Sequence, residues 1–310
     1  MGDIVVTGVS SFVGHHLARH LALRGHRVVG TVHRSRDAYR GVEAQRITMV
    51  EPFIEICELD LREPRDVAAL VDRCAPTLWV QHAGFATGYG SLDYDLDFAH
   101  LVNVAPLTYL YSSLRGGRCG VIITGSSAEY SNVDGGNRED DLCSPSTPYG
   151  LSKLTETLRA RQLAEQSAVS TRVARVYIPF GRLDNPSKLL AQTVAKLRNG
   201  EPIDLSPCGQ KRDFLGVSDL CGAYERLFED LPRVRFDLFN IASGQPIVLR
   251  DLLCEIAARL GAAKDLLRFG AIAIRPGEPA VSYASIDKAR SILQWDPTSL
   301  GAALDRDLLA

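Results

Sequence analysis

Tyr149 and Lys153 stand four residues apart in "STPYGLSKLTE", and Lys153 is the first of only six lysines in a chain that has 29 arginines. On a helix that spacing puts both side chains on one face. A phenol is poorly ionised at neutral pH, with a pKa of about 10, and a neighbouring ammonium lowers it toward the useful range for proton transfer. Reduction of a carbonyl needs such a group, because the developing alkoxide must receive a proton. Ordinary solvated helix turns carry the same spacing, so a second element has to decide. "VIITGSSAEY" (121–130) supplies one: an apolar strand that ends in hydroxyl residues. Ligands bind beyond the carboxyl ends of parallel strands, where Ser126 could donate a hydrogen bond to the carbonyl oxygen beside Tyr149. Ser127 is the second candidate, and simple capping of the strand end is the competing reading.

The opposite partner in a reduction is a hydride carrier. "TGVSSFVGHHLARHL" (7–21) follows the first strand-like run and opens the first helical one. Glycines at such a turn let the backbone approach a pyrophosphate at the positive end of the helix. Gly8 and Gly14 are present, and Ser11 replaces the expected central glycine. The tip of the second strand discriminates between dinucleotides, since an acid there suits the ribose of NAD and basic groups suit the 2′-phosphate of NADP. "GTVHRSR" offers Val32 in place of the acid, then His33, Arg34 and Arg36. NADP(H) is the expected cofactor, with an exposed basic loop as the alternative. Asp60, at the end of "ELD", is placed either at the adenine edge or at a helix N-cap.

These groups need a scaffold, and the pattern defines its type. "IVVT" (4–7), "HRVVGTV" (26–32), "FIEICELD" (53–60), "TLWVQHA" (77–83), "CGVIITGS" (119–126) and "TRVARVYI" (171–178) are apolar runs. Helical segments separate them, including 62–74, a long one near 91–115, and 148–167 with Pro148 in its first turn. Such alternation predicts an α/β fold with a parallel, doubly wound (Rossmann) sheet covered on both faces. Beyond residue 180 the texture changes. "DNPSKLLAQTVAKLRNG" predicts a helix with Asn185 as N-cap, Pro186 in its first position and Gly200 as terminator. "VLRDLLCEIAARLG" predicts another, with Leu249, Leu252, Leu253, Ile256 and Leu260 on one stripe. The division expected is a dinucleotide-binding domain over 1–180, rejoined by 213–243, and a smaller mixed α/β substrate-binding domain from 181–212 and 244–310.

Composition narrows the function classes. The 310 residues are 45% hydrophobic and 23% charged, with a formal net charge of −2, which provides no general attraction to nucleic acid or an acidic membrane. No apolar stretch reaches membrane-spanning length. The seven cysteines are scattered, without a CxxC pair or metal-ligand spacing, so free thiols in a reducing cytosol are expected and no metal. The strand-like run starts almost at the first residue, and no targeting segment is expected ahead of it.

Taken in order, "TGVSSFVG", "GSSAEY", "PYGLSK", "KRDFLGVSD", "FNIASG" and "RPGEP" resemble the extended short-chain dehydrogenase/reductase family of NAD-dependent epimerases and dehydratases, over essentially the whole chain. The resemblance implies a nucleotide-sugar substrate and a homodimer formed through two paired helices. It implies Ser126, Tyr149 and Lys153 as the catalytic triad, with Lys153 also binding the nicotinamide ribose. Gly8, Ser10, Ser11, Phe12, Val13, Gly14, His33, Arg34, Arg36, Asp60, Leu61, His82, Ala83 and Gly84 are the cofactor contacts expected with Tyr149 and Lys153. Arg212 and Arg275 would grip the substrate's diphosphate as guanidinium forks do, with a surface salt-bridge role for each as the competing reading, and Ser127, Asn185 and Lys188 are placed with them.

Departures from the family pattern narrow the reaction. Its 4,6-dehydratases carry an acidic residue in the segment of Ser127 and Ala128, commonly as Asp-Glu or Ser-Glu, and its GDP-fucose-forming epimerase-reductases carry a Cys at Ala128 and a His near Leu183. This chain has none of them; Glu129 comes one position late and is expected to point away. What remains is hydride transfer alone. "GTVHRS" is similar to the NADP-binding turn of GDP-mannose 4,6-dehydratases, and "RDFLGVSDLCGAYERL" to GDP-4-keto-6-deoxymannose reductases. The expectation is an NADPH-dependent ketoreductase acting at C4 of a nucleotide-linked 4-keto-6-deoxy sugar, GDP-linked for preference. A 4-epimerase retaining its NAD(P) and a non-catalytic NADP sensor are the alternatives.

Overall fold

The computed structural model describes residues 3–130, 136–274 and 278–310. In chain order its first strands are β1 (Asp3–Thr7), β2 (Arg27–Val32), β3 (Glu55–Glu58), β4 (Leu78–Gln81), β5 (Gly120–Ser126), β6 (Gly136–Asn137) and β7 (Thr171–Val176). The others are β8 (Ile178–Phe180), β9 (Ile203–Leu205), β10 (Lys211–Gly216), β11 (Phe236–Ile241), β12 (Pro246–Val248), β13 (Leu267–Phe269) and β14 (Val281–Ala284). The helices of the first half are α1 (Phe12–Leu23), α2 (Gly41–Val50), α3 (Pro64–Cys74), α4 (Leu96–Ala99), α5 (Ala105–Leu114) and α6 (Pro148–Ser167). Those that follow are α7 (Leu189–Arg198), α8 (Val217–Asp230), α9 (Leu249–Arg259), α10 (Asp287–Leu293) and α11 (Leu300–Ala303).

Seven strands pair in parallel in the order β11-β7-β5-β4-β1-β2-β3. Their side chains alternate between two cores, as a period of two requires. Ile4 and Val6 face α1, α2 and α8, whereas Val5 faces α3, α5 and α6. Covering on both faces explains why these strands are nearly continuous apolar runs. The order reverses between β1 and β4, so the loops leaving these two strands diverge and open the crevice in which such sheets bind ligands. Thr7 ties its two walls together: its hydroxyl donates to the Val80 carbonyl (3.2 Å) and accepts from the amides of His82 and Ala83, each at 2.9 Å.

The later strands form a five-stranded sheet, β12-β10-β14-β6 with β8 also on β10, and a two-stranded one, β13-β9, over a separate core that includes Leu252, Leu253 and Ile256. Within the segment 213–243 it is α8 and β11 that join the seven-stranded sheet and its layers, while β10 belongs to the second sheet. The helix expected from Asn185 begins later. Asn185 instead accepts the Ser187 amide and hydroxyl in a local turn, at 2.9 and 2.8 Å, and α7 starts at Leu189. An Asn side chain competes for nearby backbone donors in this way and can hold a turn before the helix instead of capping it.

Asp213, fully buried on β10, joins three elements: it accepts from the Ser243 amide (2.7 Å) and hydroxyl (2.6 Å), the Gly244 amide (3.0 Å) and the Ala284 amide (3.4 Å). Asp213→Ala would strand these donors. It is expected to lower the unfolding free energy by about 3 kcal/mol, read as a fall in the urea midpoint, and an unchanged midpoint would show the clip to be idle.

Candidate active site

Helix α6 begins as its sequence dictates. Thr147 accepts the Gly150 amide (3.1 Å) as N-cap and Pro148 fills the first turn. Tyr149 and Lys153 then project from one face toward the end of β5, where Ser126 sits. Ser126 accepts the Ala128 amide on its hydroxyl oxygen (3.2 Å), which leaves its O–H free to donate. Two further tyrosines wall the phenol: Tyr89 and Tyr94 stand edge-on to the Tyr149 ring, each at 5.7 Å between centroids. The three expected catalytic residues therefore lie together, and Ser126 also caps the turn that follows the strand, as the competing reading has it.

The electrostatics differ from what spacing alone suggests. Burial pushes the Tyr149 phenol above its ordinary value; the Lys153 ammonium and the Ser126 hydroxyl pull it down but do not win, and Glu156 and Glu129 push it further up. Burial by itself would lower Lys153, yet Glu156, Tyr149 and Glu129 together hold its ammonium above the ordinary lysine range. Lys153 is ion-paired with Glu156, the residue three positions on, at side-chain exposures of 12% and 2%. Burial raises the Glu156 carboxyl, against the pull of Lys153. His82 is driven down to about 4, by burial first and by Lys153 second, and so is neutral at pH 7. Its Nε2 lies 2.9 Å from the Ser11 hydroxyl and its Nδ1 3.0 Å from that of Thr124, which in turn is 2.6 Å from the Tyr224 hydroxyl. A chain of side chains thus runs beneath the crevice, from the first turn to the core.

At that first turn the backbone has the shape of a phosphate cradle. Gly8 has φ +77°, and a Cβ there would meet Ala83 at 3.0 Å; a Cβ on Gly14 would come within 2.3 Å of the Gly8 carbonyl oxygen. Ser11, in place of a glycine, is the N-cap of α1 and accepts the Gly14 amide at 3.0 Å. Ser10, Phe12 and Val13 are buried around it. Gly84 packs against Asn103, whose side chain accepts the Phe85 amide at 2.7 Å. These residues fit a dinucleotide pyrophosphate, held by the free amides at the start of α1.

The basic tip is less free than its sequence implies. Arg34 donates to Glu43 (2.9 Å) and lies 4.4 Å over the Tyr39 ring, and Arg36 is paired with Glu51. His33 donates its amide to the Tyr39 hydroxyl at 3.2 Å. Asp60 is not the N-cap of α3, a position held by Glu63; its carboxylate is taken up by Arg62, at 2.5 to 3.1 Å, and the buried Leu61 lies between them.

On the other side, Arg212 of β10 donates to Glu278 (2.8 Å), Lys188 pairs with Asp184 (3.1 Å), Asn185 is exposed, and Ser127 begins the turn after β5. Arg275 lies outside the described residues. Sequence reasoning missed Glu156, although its position one turn beyond Lys153 was the available signal. It also missed Thr7, Thr124, Tyr224 and Arg46, which donates to the carbonyls of Ser10 (3.1 Å) and Leu183 (2.8 Å) and joins the cradle to the substrate side. No local pattern marks those. Among the described residues there is no cluster of three metal-ligating side chains, and no helix is long and apolar enough to cross a membrane.

A Tyr–Lys–Ser constellation beside a glycine cradle, at the carboxyl edge of a doubly wound sheet, defines the short-chain dehydrogenase/reductase type of site. Residues 4–242 match the NAD dependent epimerase/dehydratase family, and the chain belongs to that family. It is 30% identical over 215 residues to dTDP-4-dehydro-6-deoxyglucose reductase of Escherichia coli, a match that covers 66% of this chain and 65% of that protein. With dTDP-4-dehydro-6-deoxy-D-allose reductase of a Streptomyces species the identity is 24% over 319 residues, covering 97% and 94%. The fold is that of UDP-glucose 4-epimerase from Thermotoga maritima, with TM-score 0.82 at 19% identity, covering 97% and 96%.

The raised phenol has a direct readout. The difference in phenolate absorbance between the wild type and Tyr149→Phe is expected to show Tyr149 titrating above the ordinary value of about 10. A midpoint below that value would mean that Lys153 outweighs burial.

Proposed function

We propose that the protein is an NADPH-dependent reductase of the C4 ketone of a nucleotide-linked 4-keto-6-deoxy sugar. One observation carries this reading: Tyr149, Lys153 and Ser126 converge, while each carboxylate buried next to them already has a cation, Lys153 for Glu156 and Arg175 for Glu129. Proton abstraction next to the ketone or elimination of water would need a free base in that place. Reduction needs only an acid. A bound reduced nicotinamide supplies hydride to the carbonyl carbon. Ser126 donates to the carbonyl oxygen, and Tyr149, protonated throughout the neutral range, gives that oxygen its proton. Lys153 orients the cofactor ribose and stabilises the phenolate left behind. The names of the two reductases support a 4-keto-6-deoxy sugar as the substrate class.

In this reading the cradle from Gly8 to Gly14, with Asp60, Leu61, His82, Ala83 and Gly84, holds the dinucleotide. His33, Arg34 and Arg36 favour the 2′-phosphate, although Glu43 and Glu51 offset part of their charge. Arg212 and Arg275 take the sugar diphosphate, with Ser127, Asn185 and Lys188 beside it. The similarity of two segments to GDP-sugar enzymes favours GDP as the nucleotide, and the reductases named for dTDP sugars make dTDP the comparison in the assay. All seven cysteines are free thiols, which supports a reducing, cytoplasmic setting.

Mixed with NADPH and a panel of GDP-, dTDP-, CDP- and UDP-linked 4-keto-6-deoxy sugars, the protein is expected to consume NADPH with at least one. Tyr149→Phe should lower kcat by about 10²–10⁴-fold. No consumption with any of the four sinks the proposal. Interconversion of the C4-hydroxyl epimers of a nucleotide sugar without added NADPH would identify an epimerase, and NADP binding without turnover a sensor.

We also propose a homodimer, paired through α5 and α6. Leu101, Leu151 and Leu158 are exposed on this face at 56%, 44% and 57%, beside a groove lined by Val104, Thr108 and Leu158. Leu158→Asp is expected to turn a dimer into a monomer in sedimentation velocity; a wild-type monomer would refute the arrangement.

A further inference from the structure

Glu129 occupies a position that carries no acid in the pattern described above, and it is fully buried. Its carboxylate joins three elements. Oε1 accepts the Ser126 amide (2.8 Å), and Oε2 accepts both the Thr157 hydroxyl and the Arg175 Nε at 2.9 Å. Ser126 ends β5, Arg175 nearly ends β7, and Thr157 lies on α6 exactly one turn beyond Lys153, on the face that carries Tyr149. Gly125 makes room for the group, since a Cβ there would stand 2.7 Å from Glu129 Oε1. Arg175 is itself immobilised, 4.6 Å over the Tyr130 ring.

We infer that Glu129 is a positioning residue for the catalytic triad, a buried clasp that sets Ser126 on β5 against Tyr149 and Lys153 on α6. The inference rests on the reductase reading for its kinetics but not for its structural part. Ser126 and Tyr149 must reach the same carbonyl oxygen, although they come from a strand and a helix with no direct covalent tie for more than twenty residues. Backbone hydrogen bonds hold β5 to β7, but nothing in regular secondary structure fixes how far α6 stands from the end of β5. The Glu129 carboxylate does so, because one oxygen is committed to the strand end and the other to the helix. Arg175 neutralises it. A buried ion pair is no more stabilising than well-packed apolar groups of the same volume, so its value here lies in geometry.

Glu129→Gln keeps the shape but loses the charge and presents an amide to two donors. It is expected to lower kcat by about 10²-fold, the cost of a misplacement near 1 Å, with the KM for the sugar nucleotide and the NADPH dissociation constant within about threefold of wild type. Glu129→Gln with Arg175→Met removes both charges and separates positioning from folding. Its melting temperature should recover to that of the wild type, while kcat stays at least about tenfold low. Recovery of kcat together with melting temperature overturns the inference. A substrate-free readout stands beside these. In a crystal structure of Glu129→Gln the Ser126 hydroxyl is expected to stand farther from the Tyr149 hydroxyl than in a crystal structure of the wild type, and an unchanged separation overturns the inference. If the wild type reduces no sugar nucleotide, the reductase reading fails, and this comparison still decides the role of Glu129.

Discussion

Burial of the Lys153 ammonium is the constraint on which the rest of this site depends. At 12% side-chain exposure a lysine cannot stay charged without a partner. Glu156 provides the countercharge from the next turn of the same helix, and with it the ammonium remains protonated above its ordinary range. The surroundings have adapted to that cation. His82, next in the crevice, is neutral and is bound on both ring nitrogens by hydroxyls instead of by acids. Tyr149 remains a protonated phenol that the ammonium stabilises on ionisation without ionising it in advance.

Charge is conserved locally across the two buried acids. Glu156 answers Lys153, and Glu129 answers Arg175. Each pair is closed within a few ångströms, so the site faces its ligands with hydroxyls, a phenol and backbone amides, and not with a free carboxylate. Those are groups suited to polarising a carbonyl and protonating an alkoxide. They are poorly suited to removing a proton from carbon. One fold can carry several reactions, because function resides in the side chains of the site.

Much of the scaffold was legible in the sequence. Strands that are apolar on both faces and separated by helices specify a covered parallel sheet, and the start of α6 follows from Thr147 and Pro148. The Tyr149–Lys153 pair and the glycine cradle were legible too, because each depends on spacing within one turn or one helix. Asn185 marks the limit of this kind of reading. Its side chain is equally able to cap a helix or to hold a turn, and tertiary packing placed the helix start at Leu189.

The sequence by itself determined the types and order of the elements and the shared helix face of Tyr149 and Lys153, since these follow from periodicities of two and 3.6 and from local capping. Only the tertiary structure decided which carboxylate meets which cation. Glu129 and Arg175 are 46 residues apart, and the distance between them is set by strand pairing. It decided also that burial outweighs Lys153 in setting the Tyr149 phenol, and that Arg34 and Arg36 are partly neutralised by Glu43 and Glu51. Desolvation and Coulomb terms depend on every neighbour within several ångströms, and those neighbours come together only when the chain is folded.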